Sequence, residues 1–323
     1  MTFYILRRLI QTLIVLAVLS FITYGMMGLM PGDPLDIMCS ANPRCTPENI
    51  DQMKKIMGLD RPIHERYWKW ISSFVQGDFG YSRTYRLPVK DIMLPRLANT
   101  MILGLLSIAL SLLIAIPLGV FSSLRHRKPA DYIINFFAFV GISAPSFWLG
   151  LILIIIFAVH LKWFPASGVQ TVDGNVSGIF ADIMDRLKYL VLPTLTLSLL
   201  EIASWARYTR SSMLETLRMD FIRTAKAKGL SSEEVIVRHA LGNALLPVVT
   251  VVAMNFSIVF SGAIITETVF AYQGVGLLMY NSIMGNDFNV AMCCFIMICS
   301  VVLFMNLVAD LLYAYLDPRI SYS

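Results

Sequence analysis

Six runs of about 20 or more residues with almost no charge dominate this chain, and that length is what a helix needs to cross a hydrocarbon core of roughly 30 Å. Residues 9–30, 97–121, 132–158, 245–266 and 288–309 contain no Asp, Glu, Lys or Arg. A weaker run over 187–206 carries Lys188 at its edge and Glu201 inside. Inside a bilayer no water satisfies peptide groups, so each run is expected to be helical, and Pro117, Pro145 and Pro193 become tolerable kinks. Composition agrees, with 57% of 323 residues hydrophobic, 15% charged and a mean hydropathy of +0.68. An ordinary soluble domain and a disordered chain are both excluded. The net charge of +5 does not point to nucleic acid, because the charges flank apolar runs instead of lining one face.

The first run follows Arg7 and Arg8 and reads as a retained helix. It is too long for a signal-peptide core and ends in Met30-Pro31-Gly32-Asp33-Pro34, with no small-residue cleavage site. With the N-terminus inside, the inner segments hold thirteen Lys and Arg, against Lys162, Arg186 and Lys188 in the short outer loops. The long segment 33–96, with ten basic and eight acidic residues, crosses regardless of charge. Both termini are therefore expected on the cytoplasmic side. The expected organisation is a cytoplasmic start and first span (1–31), an outer segment (32–96), a core of five spans (97–316) containing a cytoplasmic loop (207–244), and a tail (317–323).

The loop is the most informative stretch. Residues 212–228 have helix-forming composition, with Met213, Leu217 and Phe221 on one stripe and Lys226 and Lys228 in the last turn, where cations complement the helix dipole. Gly229 suits a left-handed helix end and Leu230 the hydrophobic contact that follows it. Ser231 and Glu234 form a Ser-x-x-Glu capping box for a second helix, in which Val235, Ile236 and Val237 supply apolar packing. Two roles suit such a pair. It is an amphipathic loop lying on lipid headgroups, or a stiff element docking into a groove on a soluble partner.

Other polar residues stand out against the apolar background. Glu201 is the only acid well inside a span, where an unpaired charge costs at least a few kcal/mol. It is either a translocation-path residue or a structural partner of backbone or Arg207. Glu267, at the outer end of the fifth span, suits a gate, a contact with a delivering protein, or a helix-end anchor. Asn255 and Ser257, a turn from Ser261 and Gly262, suit a translocation path or polar glue between helices. Gly141, Ser143, Ala144 and Pro145 interrupt the third span and suit close packing. In the outer segment, Tyr67, Trp70, Ile71 and Phe74 after Arg61-Pro62-Ile63 predict an amphipathic helix. Its role is an interfacial belt or a platform for a delivering protein.

Cys39 and Cys45 lie in the outer segment, where an oxidising compartment permits a disulfide; Cys293, Cys294 and Cys299 read as small packing residues. His64, His126, His160 and His239 fall in different segments, so neither a metal centre nor a catalytic constellation is expected.

The run RTAKAKGLSSEEVIVRHALGNALLPVVT at 223–250 closely resembles the EAA loop of ABC-importer permeases in its dipeptide, oligopeptide and nickel branch. Arg223-Thr224-Ala225 stands where the wider pattern has Glu-Ala-Ala, Gly229 at its glycine, His239-x-Leu241 at its later pair, and Gly242 at its proline. Pro31-Gly32-Asp33-Pro34, Gly58-Leu59-Asp60, Gly77-Asp78-Phe79-Gly80-Tyr81-Ser82, Thr266-Glu267-Thr268-Val269-Phe270, Gly274-Val275-Gly276 and Asp317-Pro318-Arg319 extend the resemblance over the chain. Tyr272-Gln273 departs from it, since the family usually has a proline second.

The resemblance implies an all-α polytopic membrane protein of six spans with the type I, MetI-like permease fold. It assigns docking on an ATPase to Arg223, Thr224, Ala225, Lys226, Ala227, Lys228, Gly229, Leu230, Ser231 and Glu234. The implied partners are a second homologous permease similar to DppC and OppC, two ATPase subunits similar to DppD and DppF, a periplasmic or lipid-anchored binding protein, membrane lipid and a peptide substrate, with no nucleic acid. Nickel and antimicrobial peptides are alternative cargoes of the same architecture. The chain holds no GxxxxGK[ST] phosphate loop, so ATP and Mg would belong to the ATPase subunits and no cofactor to this chain. An ion-driven secondary transporter would need more intramembrane titratable groups than Glu201 and an internal repeat. An intramembrane enzyme would need a nucleophile and base that can be placed together.

Overall fold

The structure, a computed structural model, describes residues 2–28, 55, 60–171 and 178–316, without side-chain detail at 2–5, 254, 256–262 and 312–316. Every long element is helical: α1 (Thr2–Gly28), α2 (Ile63–Val75), α3 (Val89–Leu124), α4 (Pro129–Ser143), α5 (Ser146–Leu153), α6 (Ile179–Thr216), α7 (Asp220–Ala227), α8 (Ser232–Glu234), α9 (Gly242–Val269), α10 (Val275–Met284) and α11 (Phe288–Leu316). Wider π turns continue α5 over Ile154–His160 and join α8 to α9 over Val235–Leu241. The residues fall into two compact units, one of 1–97 with 278–300 and one of 98–277 with 301–323.

Five helices among the described residues are long and apolar enough to cross a membrane, and the sixth expected span is a bent pair. The third apolar run is thus not one straight helix, because α4 and α5 meet at an angle of 106°. Pro145 has no N–H to donate and forces Ala144 into extended backbone, φ −79° and ψ 127°, which ends α4. Phe136, Phe139, Val140, Ser143, Ala144, Pro145, Phe147 and Trp148 line an open apolar groove of about 640 Å³ at this bend. Gly141 lies against Ala203, so close packing is what this interruption achieves.

In the first unit α2 packs its predicted stripe on α1. Tyr67 is buried, its hydroxyl 2.7 Å from Ser20 Oγ, with Phe21 edge-on to its ring at 5.1 Å. Trp68 points the other way and is exposed. The glycine-rich segment that follows turns at Gly77 and Gly80, both left-handed, and folds back so that Tyr81 pairs with Pro88. Buried Asp287 accepts from Ser82 Oγ at 2.6 Å and Thr84 N at 3.0 Å, while Arg83 donates to the Gly285 carbonyl.

The second unit is built on α6. The weakest apolar run of the sequence is its most enclosed helix: 56% of the apolar window of α6 is buried, against 6% for α1. Thr196, Ser198 and Thr209 are compatible with burial because they donate back to carbonyls of their own helix. Three apolar clusters follow one another along it, around Leu192 and Leu197, around Ile202 and Trp205, and around Met213.

The crossing of α3 over α6 depends on Gly119, where a Cβ would overlap Thr209 and the Ala206 carbonyl. Gly119→Val should therefore cost about 1–3 kcal/mol through overpacking, read as a lower unfolding temperature in detergent. An unchanged melting profile would contradict the crossing.

Candidate coupling site

The predicted helix over 212–228 forms as two pieces. α6 ends at Thr216, Leu217–Met219 turn, and α7 starts at Asp220. Packing explains the break. On one continuous helix Ile222 would sit about half a revolution from Met213 and face away from it. The turn rotates Ile222 and Ala225 into the cluster that already holds Met213, Val235, Ala240 and Ala244. The expected stripe is corrected accordingly: Met213 is buried and Leu217 partly buried, but Phe221 is exposed, and Ile222 takes its inward place.

The turn after α7 follows the expected geometry. Gly229 has φ +81°, the left-handed value a side chain disfavours, and its N–H donates to the Lys226 carbonyl at 3.0 Å. Leu230 packs against the cluster. Ser231 Oγ caps α8 by accepting from Glu234 N at 3.2 Å. Only this half of the box takes its expected form, since the Glu234 carboxylate lies 3.6 Å from Arg238 on the next turn. The second helix is also not a short separate piece: backbone from Ser232 runs through the π turns into α9.

Ala225 faces inward, while Arg223, Thr224, Lys226, Ala227, Lys228, Gly229 and Ser231 form an exposed, predominantly basic surface. Arg223 contacts Asp220 at 3.3 Å, a solvent-exposed pair of little energetic weight. The site is thus a small rigid knob, with an apolar inner face fixed to α6 and α9 and a charged outer face.

Nothing in the sequence revealed a buried ionic cluster beside it. α3 ends at Leu124, Arg127 turns left-handed, and Pro129 starts α4, which places Asp131 in the first turn. The Asp131 carboxylate, 2% exposed, accepts from Ser122 Oγ at 2.5 Å, Arg127 N at 3.0 Å and Asn135 Nδ2 at 2.9 Å. Arg210 of α6 completes it with a fork, Nε at 2.6 Å and Nη2 at 2.8 Å, and Nη2 is also 3.1 Å from His126 Nδ1. His126 thus joins this ionic cluster. No group of three or more metal-ligating side chains occurs among the described residues.

The other expected residues separate. Glu201 is half-buried in α6 and has no hydrogen-bond or ion-pair partner among the described residues. Pairing with Arg207 does not occur: that guanidinium stacks 4.4 Å over the Phe139 ring, on a different side of the helix. Asn255 is half-buried, and the Ser257, Ser261 and Gly262 surroundings lie outside the described residues, as do Cys39, Cys45, Pro31-Gly32-Asp33-Pro34, Gly58-Leu59 and Asp317-Pro318-Arg319.

Glu267 is fully buried, which excludes the surface contact with a delivering protein in this conformation. Its carboxylate accepts from Thr100 Oγ1 at 2.5 Å and Leu277 N at 2.9 Å, Thr100 Oγ1 accepts from Val275 N at 2.8 Å, and Gly274 and Gly276 are small enough to approach it. The Tyr272-Gln273 departure is absorbed in the same turn. Tyr272 N donates to the Glu267 carbonyl at 2.8 Å, and the Gln273 carbonyl accepts from Asn99 Nδ2 at 2.8 Å. Burial and the nearby Glu267 charge push the Tyr272 phenol up to about 12.

Comparison with known proteins agrees with this architecture. Fold and site together define a polytopic helical membrane component of a transport system. Residues 115–322 match the model described as binding-protein-dependent transport system inner membrane component, and residues 1–104 match its N-terminal counterpart, so the chain belongs to that family. It is 38% identical over 323 residues to the oligopeptide transport system permease protein AppB of Bacillus subtilis, with all of both chains covered. It is 35% identical to the dipeptide permease DppB of Alkalihalophilus pseudofirmus (99% of each chain) and 33% identical to DppB of Escherichia coli K12 (99% of this chain, 98% of the other). A chain of the inward-facing MetNI methionine ABC transporter shares the fold, with TM-score 0.56, 16% identity, and coverage of 71% of this chain and 98% of that one. A second crystal form of it gives 0.52. As a member of this family the chain is an inner-membrane, multi-pass transport subunit.

Glu267→Ala would leave the Leu277 amide without the carboxylate it donates to, at about 1–3 kcal/mol for such a group. Amide hydrogen exchange at Val275 and Leu277 should accelerate about tenfold or more. Unchanged protection would remove Glu267 as the organiser of this turn.

Proposed function

We propose that this chain is a permease subunit of an ATP-driven importer of dipeptides or oligopeptides, forming one half of the translocation pore with a second, DppC- or OppC-like permease. Full-length similarity to permeases named for dipeptide and oligopeptide transport supports the cargo. The knob around Gly229 carries the coupling assignment: its inner face is fixed to two spanning helices and its outer face is left exposed and basic. A loop resting on lipid headgroups would instead expose a continuous apolar face; here Ile222 and Ala225 turn inward against Met213, Val235 and Ala240, and Met219, Phe221 and Val237 are the apolar side chains left exposed beside the basic ones.

In this reading the knob seats in a groove of one of two DppD- or DppF-like ATPase subunits, which bind ATP and Mg. A periplasmic or lipid-anchored binding protein delivers the peptide on the opposite face, and both termini are cytoplasmic. Closure of the ATPases moves the knob, and the spans alternate between inward-open and outward-open states. The binding protein biases the outward state only by binding it more tightly. Glu201, half-buried and without a partner among the described residues, together with Asn255, Ser257 and the nearby polar residues, lies on the translocation path and suits the amino terminus of a peptide.

Two measurements test this. Copurification of the tagged chain from mild detergent should recover both ATPases and the second permease, and Arg223→Glu with Lys226→Glu should lose the ATPases. Gly229→Pro cannot adopt φ +81° and loses the N–H bonded to Lys226. It should insert normally yet reduce uptake about tenfold or more, in line with the strain of a misfit proline. Normal ATPase binding and uptake in that variant would overturn the docking assignment.

A further inference from the structure

The knob can drive the spans only if its motion reaches helices it does not itself continue into. α9 is continuous with it and α6 leads into it, but α3 and α4 are connected to it only by side chains. Among the contacts that make that connection, two lie side by side on α6 next to the knob. Gly119 brings α3 against Thr209 and the Ala206 carbonyl. At the next residue of α6 after Thr209, the fork of Arg210 closes on Asp131, which also binds Ser122 at the end of α3, Arg127 in the corner and Asn135 on α4.

We infer that Asp131 and Arg210 are positioning residues that lock the α3–α4 corner to α6, so that motion of the docking knob reaches the second and third spans as one rigid displacement. This rests on the docking reading above.

The placement along α6 is what favours transmission over simple cohesion. Arg210 holds the corner, Ser212 Oγ donates to the Ala244 carbonyl of α9 at 2.7 Å, and Met213 sits in the knob's own cluster. These three residues span about one helical turn, so a single rigid segment of α6 is tied to the corner on one side and to the knob and α9 on the other. Val120 of α3 packs against the same cluster. The ionic contact is also directional in a way an apolar contact is not. A planar fork on one carboxylate fixes the angle of approach as well as the distance; three further donors hold the Asp131 carboxylate, and His126 Nδ1 accepts from the Arg210 guanidinium.

The test uses the assembled transporter reconstituted with its ATPases and binding protein, and labelled alanyl di- to pentapeptides as the probe. Three variants are compared, Asp131→Asn, Arg210→Gln and the double exchange, with Arg210→Lys as the conservative control. Each is read for ATPase copurification and for peptide taken up per ATP hydrolysed. All should retain the ATPases. The two single variants should lose uptake per ATP by about threefold or more, the scale on which residues along a coupling route act. The double variant should be no worse than the poorer single one, as residues acting as a unit require. Arg210→Lys, which keeps the charge and loses the fork, should fall between wild type and Arg210→Gln.

Uptake per ATP at the wild-type level in the intact complexes would overturn the inference. So would loss of the ATPases themselves, since the pair would then be holding the docking surface together. If Asp131→Asn fails to insert, Arg210→Lys carries the same comparison. Retention of the ATPases by Arg223→Glu with Lys226→Glu would overturn the docking reading instead, and leaves the Asp131 and Arg210 result to be judged on uptake per ATP alone.

Discussion

In a hydrocarbon core a peptide group without a partner is too costly to tolerate, and this constraint shapes the chain down to its irregular points. At three of its interruptions a specific acceptor takes up an amide. At the α4–α5 bend, Ala144 N still donates to the Val140 carbonyl at 3.2 Å. Before α10, the Glu267 carboxylate and Thr100 hydroxyl collect amides that the first turn of that helix leaves over. Before α8, the Ser231 hydroxyl does the same for Glu234 N.

The same constraint decides which parts of the molecule a sequence reveals. Apolar runs and the left-handed glycine at 229 depend on neighbours a few residues away, and they are legible from one stretch at a time. Asp131 and Arg210 are 79 residues apart, and Ser82 and Asp287 are 205 apart. Each alone is an ordinary helix-start acid, loop cation or turn residue, and only the fold brings them together. The break at Leu217–Met219 was hidden for a related reason. The stripe Met213, Leu217, Phe221 is a valid helical pattern locally, and it loses to the burial of Ile222 and Ala225 against residues that come later in the chain.

α6 illustrates how an apolar count misleads in one direction. Its polar content made it the least convincing span, yet Thr194, Thr196, Ser198 and Thr209 are buried by neighbouring helices, and α1, more uniformly apolar, is nearly bare. A helix that faces lipid must be apolar on all sides, whereas one that faces protein tolerates hydroxyls and a half-buried acid such as Glu201 within its apolar stretch.

The unbroken run from Ser232 to Val269 has a mechanical consequence. Over its 38 residues such a helix is about 57 Å long at ordinary rise per residue. A tilt of about 10° at one end displaces the other by about 10 Å if the rod does not flex. One end is the charged knob and the other delivers Glu267 to the turn at 270–277. The π turns over Val235–Leu241 and Pro247 are the two places along it where such a rod bends, and both lie near the knob, so the stretch beyond Pro247 carries whatever motion passes them as one piece.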